Sequence, residues 1–570
     1  MGDVFEYLID GTSGLAPGGV DGKALVAGVC SLGRVGKGYL IGKRTDLAAT
    51  LGVGPLVDRV RDILATAGQE PVLVAVPVQG QAAGYFSSPV VYGGSGAAPE
   101  MTVSGVPQKN ADIVIRVATP GVVGTATVEI STDGGTTFGE VQTSAEQMTI
   151  GSGEDATGAT VLLAASAKLE EGSSYRFVAR TVIGPVSRVG DAASPLIEVS
   201  GNVLAGVELV VQIVKSGARN AGTYRLSTDG GDNFGKARTI PFNGTVMLDT
   251  GPTVTFPEGS YVGGVTYSCR ILPPQPSIVD VMSALESPLA LYDVEFVHVV
   301  GPSDSVDWAA AAAKTDELWN AHRPTYFKME ARLPYDEEDL NDYAAYLLAE
   351  RQGFSSRFVQ VCCQFGEITE TSGQRRLRNW AGLQSGRVMS IPVQRATGRV
   401  RDGNISQGAL PDGWEAVQST LEDAGYLTAK KYAGLEGVYW GDSRTMADDT
   451  SDFRYEEVLR TVFKAVRLLR IAALKSMYDE AGDPLLGDNA GGLAYLKAQL
   501  ENALAAMTKA VPPELIDYVV TLPPGQDIVN NGVAVEHVLI GVPIIRKIKL
   551  YASYVYAGST LDPRSIRETA

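Results

Sequence analysis

Apolar positions along this chain fall into two periods. Near the N-terminus, "ALVAGVCS", "GYLIGK" and "VLVAVPV" are short unbroken apolar runs, the pattern of strands covered on both faces. Between them, "LVDRVRDILATAG" places Leu56, Val60, Ile63 and Leu64 at helical spacing and stops at Gly68. From about residue 277 the same alternation returns. "DVEFVHVVGP" reads as strand and loop, and "VDWAAAAAKTDELWNAH" as a helix opening near Ser305 or Asp307. "TYFKMEAR" reads as a strand, "DEEDLNDYAAYLLAERQG" as a helix, "SRFVQVCCQF" as a strand and "GRVMSIPVQRA" as strand to loop. Strands alternating with helices predict an α/β sheet.

The stretch between these two segments has a different texture. "GYFSSPVVYGGSGAAPE" is rich in turn formers and reads as a linker. Beyond it lies an internal repeat: "VSG" at Val103 and "STDGGTTFG" at Ser131 recur as "VSG" at Val199 and "STDGGDNFG" at Ser227, both 96 residues on. Each copy carries alternating runs such as "ADIVIRVAT" and "GVELVVQIV". Asp-Gly-Gly between such runs is a hairpin signal, because glycine supplies the positive φ of a tight turn. The expectation is two tandem β-sandwich domains of immunoglobulin-like size, residues 100–195 and 196–276, inserted into one discontinuous α/β domain formed by 22–82 and 277–402. Asp133 and Asp229 lack the further carboxylates of a calcium loop and read as turn residues. Residues 1–21 are Gly-rich with one apolar run, Val4 to Ile9, and read as an extended arm.

The last third changes again. "GWEAVQSTLEDAG" is a short helix, and "YLTAKKYAGLEGVYWGDSRTMA" a hairpin. "YEEVLRTVFKAVRLLRIAALKSMYDE" and "GLAYLKAQLENALAAMTKA" are two longer helices, the second with Leu493, Leu496, Leu500, Leu504 and Met507 along one side. "EHVLIGVPIIRKIKLYASYVYAG" alternates like β-structure and runs into a short polar tail, 557–570.

Charge sharpens the picture at one point. The 570-residue chain has a formal charge of -17, which opposes general nucleic-acid binding. Yet from Arg454 to Lys475 six Lys/Arg face two Glu. At 100° per residue, Arg460, Lys464, Arg467 and Lys475 share an arc of roughly 80°. Val458, Leu459, Val462, Val466, Leu469, Ala473 and Met477 lie opposite, so the basic side is expected to point outward.

Candidate chemistry is sparse. "GRVGKGY" lacks the spacing and the Ser/Thr of a phosphate loop. His298, His322 and His537 lie far apart, and His298, within an apolar run, reads as a satisfied core residue. Asp442, Asp448, Asp449 and Asp452 stand ahead of a helix, where its dipole favours acids. Cys362 and Cys363 read as buried residues on opposite faces of a strand. No catalytic residue, metal site or cofactor is expected. There is no secretory signal in "MGDVFEYLID" and no apolar run of about 20 residues.

The order of helix, "GYLTAKKYAGLEGVYWGDSRTMADDTSDFRYEEVLRTVFKAVRLLR", second helix and strand-rich end resembles the C-terminal domain of contractile tail sheath proteins of bacteriophages and related injection systems. Gly437 to Met446, the acidic "SDF" and the Arg-rich helix carry the likeness, which covers roughly residues 405–560. The resemblance implies a multidomain α+β fold: the discontinuous α/β domain with its two inserted sandwiches facing outward, a C-terminal α+β sheath domain at 403–556, and extended terminal arms. It implies a structural, non-enzymatic subunit that polymerises helically around an inner tube and contracts to drive the tube through a cell envelope. Partners would be further copies of the chain, the tail tube protein, and baseplate and tail terminator proteins, with no direct nucleic-acid contact and no membrane insertion. The location implied is the virion tail, assembled in the host cytoplasm. On this reading Arg460, Lys464, Arg467 and Lys475 face an acidic tube. Val4, Phe5, Tyr7, Ile9, Ile544, Ile548, Leu550 and Tyr554 exchange strands between subunits. The alternative is a surface-binding, adhesive protein using the tandem sandwiches, although such a protein would normally carry an export signal.

Overall fold

The computed structural model describes residues 19–561, apart from 70, 94–98, 336–337, 371, 490, 558 and 560. Val4, Phe5, Tyr7 and Ile9 therefore lie outside the described residues.

At the centre is a six-stranded sheet in the order Tyr39–Ile41, Val72–Val78, Lys23–Val29, Phe296–Ser303, Tyr326–Ala331, Val359–Cys362. All neighbours run parallel except the Tyr39–Ile41 edge. Ala24 pairs with Phe296 on one side and Leu73 on the other, so strands from both flanks of the intervening 200 or so residues share one sheet. Every residue of Val72–Val78 and Tyr326–Ala331 is buried, because helices cover both faces. Alternate side chains divide between two cores. Leu25, Val76, Val297 and Phe327 meet helices Ile278–Leu291, Ser305–Asn320, Leu340–Arg351 and Glu415–Asp423. Val26, Ala75, Phe296 and Tyr326 meet helices Pro55–Thr66, Ala381–Met389 and Glu456–Leu474. Helix Ser305–Asn320 opens on Asp304, whose carboxylate accepts from Val306 N and Asp307 N at 2.9 and 3.1 Å. Cys362 and Cys363 are both buried and belong to different cores.

The inserted segment forms two two-layered β-units, each with its own core. In the first, Ile113, Ile115, Tyr175 and Phe177 face Val161 and Ala159. In the second, Leu209, Val211 and Tyr267 face Val254 and Phe256. The repeat begins earlier than expected. Tyr85–Phe86 and Val90–Tyr92, read as linker, pair with Ser174–Arg180 as edge strands of the first unit. Ser187–Val189, assigned above to the first repeat, pairs with Thr266–Ile271 of the second. Both Asp-Gly-Gly segments are turns: Gly134, Gly135, Gly230 and Gly231 have φ of 75°, 93°, 74° and 105°. Asp133 accepts from Thr137 N at 2.9 Å and Asp229 from Asn233 N at 3.0 Å, so each aspartate braces its turn.

The region after residue 402 also divides differently from expectation. Trp414, Val417, Leu421, Tyr426 and Met446 pack into the same core as the parallel strands. Leu427 N and Met446 N donate to Val361 O and Val359 O at 2.9 and 2.8 Å. Residues up to about 447 thus belong physically to the α/β body. A separate core forms from the second half of helix Glu456–Leu474, helix Gly491–Thr508 and the antiparallel pair Leu515–Thr521 and Glu536–Gly541. Leu493, Leu500, Leu504 and Met507 are buried there, and Leu496 packs partly buried against them.

Candidate assembly interface

Helix Glu456–Leu474 begins with two glutamates because its N-terminus meets cations of the body. Glu456 accepts from Lys328 Nζ at 2.6 Å, Tyr326 OH at 2.8 Å, Gln384 Nε2 at 2.8 Å and Ser443 Oγ. Burial pushes its carboxyl up, but Lys328 and Arg460 outweigh that and pull it down to about 2. One turn on, Arg460 is 2% exposed. Its Nε lies 2.6 Å from Glu295 Oε1, and its Nη2 also reaches Val388 O and Ile391 O at 3.2 and 3.4 Å.

The outward basic face expected of this helix is therefore not formed. Arg460 is interior. Lys464 is held between Asp21 and Glu514 at 2.6 and 2.7 Å. Arg467 is largely buried, its Nη2 donating to Val294 O at 3.1 Å and to Pro324 O, and burial lowers its pKa. Of the four, Lys475 alone is exposed. The reason is packing: one side of the helix covers the sheet through Leu459 and Phe463, and its second half is covered by Gly491–Thr508. Charges on a helix clasped from two sides become internal ties and must be paired.

A second buried network lies on the same face of the sheet. Arg59 Nε and Nη2 meet Glu330 at 2.6 and 3.0 Å, His298 Nε2 lies 3.0 Å from Glu330 Oε1, and Ser385 Oγ lies 3.2 Å from His298 Nδ1. Burial lowers the histidine pKa, which keeps the ring neutral. Ser385 and His298 are wholly buried and Glu330 nearly so, and this chain of groups ties the covering helices to the sheet. His298 is thus the satisfied core residue the sequence predicts. At the carboxyl ends of the parallel strands, between body and second β-unit, lies a cleft of about 470 Å³. Three of the arginines lining it are engaged: Arg59 with Glu330, Arg332 with Glu338 and Arg378 with Asp62 and Glu370.

The unsatisfied surface is at the C-terminus. Strand Glu536–Gly541 ends, and residues 542–557 continue without strand partners among the described residues. Ile548, Leu550 and Tyr554 are 73%, 90% and 82% exposed, while Ile544 is half-buried at the root. The alternation that predicts a strand is present in the sequence, but among the described residues it pairs with no strand. Beside it, Leu515–Thr521 and Glu536–Gly541 make a sheet of only two strands with exposed Ile516, Val519, Val538 and Ile540. Among the described residues each strand keeps one free edge, a template for pairing with another chain. A peptide strand added here would complete main-chain hydrogen bonding and cover apolar side chains.

Among solved structures of similar fold are chains of contractile tail assemblies. The chain is similar to a sheath tail protein from Desulfitobacterium hafniense, at 10% identity and a TM-score of 0.41, over 95% of this chain and 100% of that one. It is likewise similar to a sheath tail protein from Listeria innocua, at 10% identity and a TM-score of 0.40, over 92% and 96%. A chain of the anti-feeding prophage baseplate matches at 18% identity and a TM-score of 0.36, over 50% and 76%. No curated protein matches it in sequence. Residues 1–444 match the family described as DUF2586, N-terminal domain, and residues 452–559 that described as DUF2586, C-terminal domain. The chain belongs to the DUF2586 family.

Proposed function

We propose that this chain is the structural subunit of a contractile tail sheath, polymerising helically around an inner tube and contracting to drive the tube through a cell envelope. The observation that carries the reading is the apolar, unpaired arm 542–557 beside a two-stranded sheet with open edges. A strand that needs an edge and an edge that needs a strand on one chain describe a unit built to join its own copies. The likeness of residues 405–560 to sheath C-terminal domains supports the same reading. Ile544, Ile548, Leu550 and Tyr554 then enter a neighbour's sheet, and Val4, Phe5, Tyr7 and Ile9 do so from the other end. The α/β body and the C-terminal core form the inner layer, and the two β-units project outward. Partners are further copies, the tail tube, and the baseplate and terminator proteins, within a tail assembled in the bacterial cytoplasm.

The tube contact needs a different basis from the one the helix pattern offered. Arg460, Lys464 and Arg467 are engaged within the subunit, which leaves Lys475 and the exposed Arg470 to meet an acidic tube. Such exposed pairs are worth about 0.2–1 kcal/mol each, weak enough to release and strong when repeated along a helix.

Truncation after Gly541 tests the proposal. The full chain is expected to give hollow tubes in negative-stain images, and the truncated chain discrete, folded particles. Tubes from the truncated chain would refute the arm's role.

A further inference from the structure

The arm is free along most of its length but held at one point. Five residues after Gly541, the Arg546 Nε lies 3.1 and 3.0 Å from the two carboxylate oxygens of Asp442. Its Nη2 donates to Glu457 Oε1, and its guanidinium sits 3.5 Å from the centre of the Tyr455 ring. Asp442 lies in the loop before the long helix, Tyr455 is the residue capping that helix, and Glu457 is in its first turn. The Glu457 side chain is 4% exposed, and its Oε2 has no hydrogen-bond partner among the described residues. These three body residues converge on one side chain of the arm. A lysine there would fit poorly, because the site uses a planar fork of donors and a stacking face together.

We propose that Asp442, Tyr455 and Glu457 form an arginine-receiving notch that clamps the root of the C-terminal arm through Arg546. The clamp sets the direction in which residues 547–557 leave the subunit toward a second copy. The inference rests on the strand-exchange reading for its purpose, but not for the clamp itself, which is a contact within one chain. A clamped root reduces the ordering cost of strand addition, since the arm searches a cone of directions instead of a hemisphere. Arg546 is thus a positioning residue.

The notch also ties arm direction to pH. The charged groups facing Glu457 are Arg546 from the arm and Asp442 from the loop; Arg454 lies nearby, against Tyr455. Burial raises the Glu457 carboxyl to about 7, against the pull of Arg546 and with a further push from Asp442. Because Arg546 favours the ionised carboxylate, the clamp tightens as pH rises through that range and loosens below it.

The test uses the full chain, dilute enough to remain monomeric, with Cys30→Ser and paired spin labels at Lys549→Cys and Glu436→Cys. At pH 8.5 the distance distribution is expected to be narrow, and at pH 5.5 at least twice as broad. Arg546→Gln should be broad at both pH values, Arg546→Lys intermediate, and Glu457→Gln unchanged between them. Equal widths for the wild-type arm and Arg546→Gln at pH 8.5 would overturn the clamp. That outcome is separate from the truncation experiment: tubes formed without the arm would sink its strand-exchange role while leaving a narrow distribution intact.

Discussion

At the scale of single residues, burial rather than sequence position decides what a charge does. Arg460 and Lys475 occupy one side of a helical wheel, yet one is sealed against Glu295 and the other faces water. Removing one member of a buried pair leaves the other desolvated and unpaired, at a cost of about 3–5 kcal/mol. Arg460→Ala and Glu295→Ala should each lose about that much stability by chemical denaturation, whereas Lys475→Ala should change it by about 0.5 kcal/mol or less. A stable Arg460→Ala variant defective only in docking to a tube would contradict this assignment. Small residues carry weight for the converse reason. Gly386 and Gly382 let helix Ala381–Met389 approach helix Pro55–Thr66 so closely that a Cβ at Gly386 would collide with Ile63 O and Thr66 Oγ.

At the scale of elements, three buried strands carry polar residues within apolar runs: His298 in "FVHVV", Lys328 and Glu330 in "YFKMEA" and Gln360 in "FVQVC". In the sheet, His298 pairs with Lys328 and Lys328 with Gln360, so the three form one row. That row, with Glu330, lies under the helices that supply Ser385, Gln384 and Glu456. The recurrence was legible in the sequence as a signal, but only the register reveals it as a layer. Helix docking should therefore be acid-sensitive. Glu330 and Glu456 are each held at about 2, burial being outweighed by Arg59 and His298 in one case and by Lys328 and Arg460 in the other. Their stabilisation is complete above the unfolded carboxylate range near 4.5 and is lost as pH falls toward 2. Thermal unfolding should show a Tm that falls steeply below about pH 4.5, with a shallower slope in Glu456→Gln. An identical slope in that variant would count against the layer as the acid-sensitive element.

At the scale of the whole molecule, the chain leaves the body for the two β-units and returns at one point. Gln81 and Gln275 pair through two backbone hydrogen bonds, 2.8 and 2.9 Å, where the chain leaves and re-enters. Replacing residues 83–273 with a short Gly-Ser linker should leave the body folded, with circular dichroism showing lost strand and retained helix. If the sheath reading is right, the excised chain still forms tubes, of smaller outer diameter in negative-stain images. Loss of the helical signal would show that the body depends on its insertion. The second unit does touch the body, through Asn233 Nδ2 to Gly373 O at 3.1 Å and Arg375 to Asp232 at 3.9 Å, and such exposed contacts contribute little.

The sequence by itself determined what nearest neighbours along the chain can dictate. The period of apolar residues set the buried strands and helices, Asp-Gly-Gly set the hairpin turns, and the 96-residue echo set two copies of one unit. Even the earlier start of each copy was written there, since "PVV" at Pro89 and "PVS" at Pro185 keep the same spacing. Only the tertiary structure decided which polar residues meet water. The long helix is covered by a sheet on one side and a helix on the other, so its cations became internal ties. The C-terminal run, strand-like in pattern, pairs with no strand among the described residues, because strand pairing is a contact between distant segments that the local pattern does not choose.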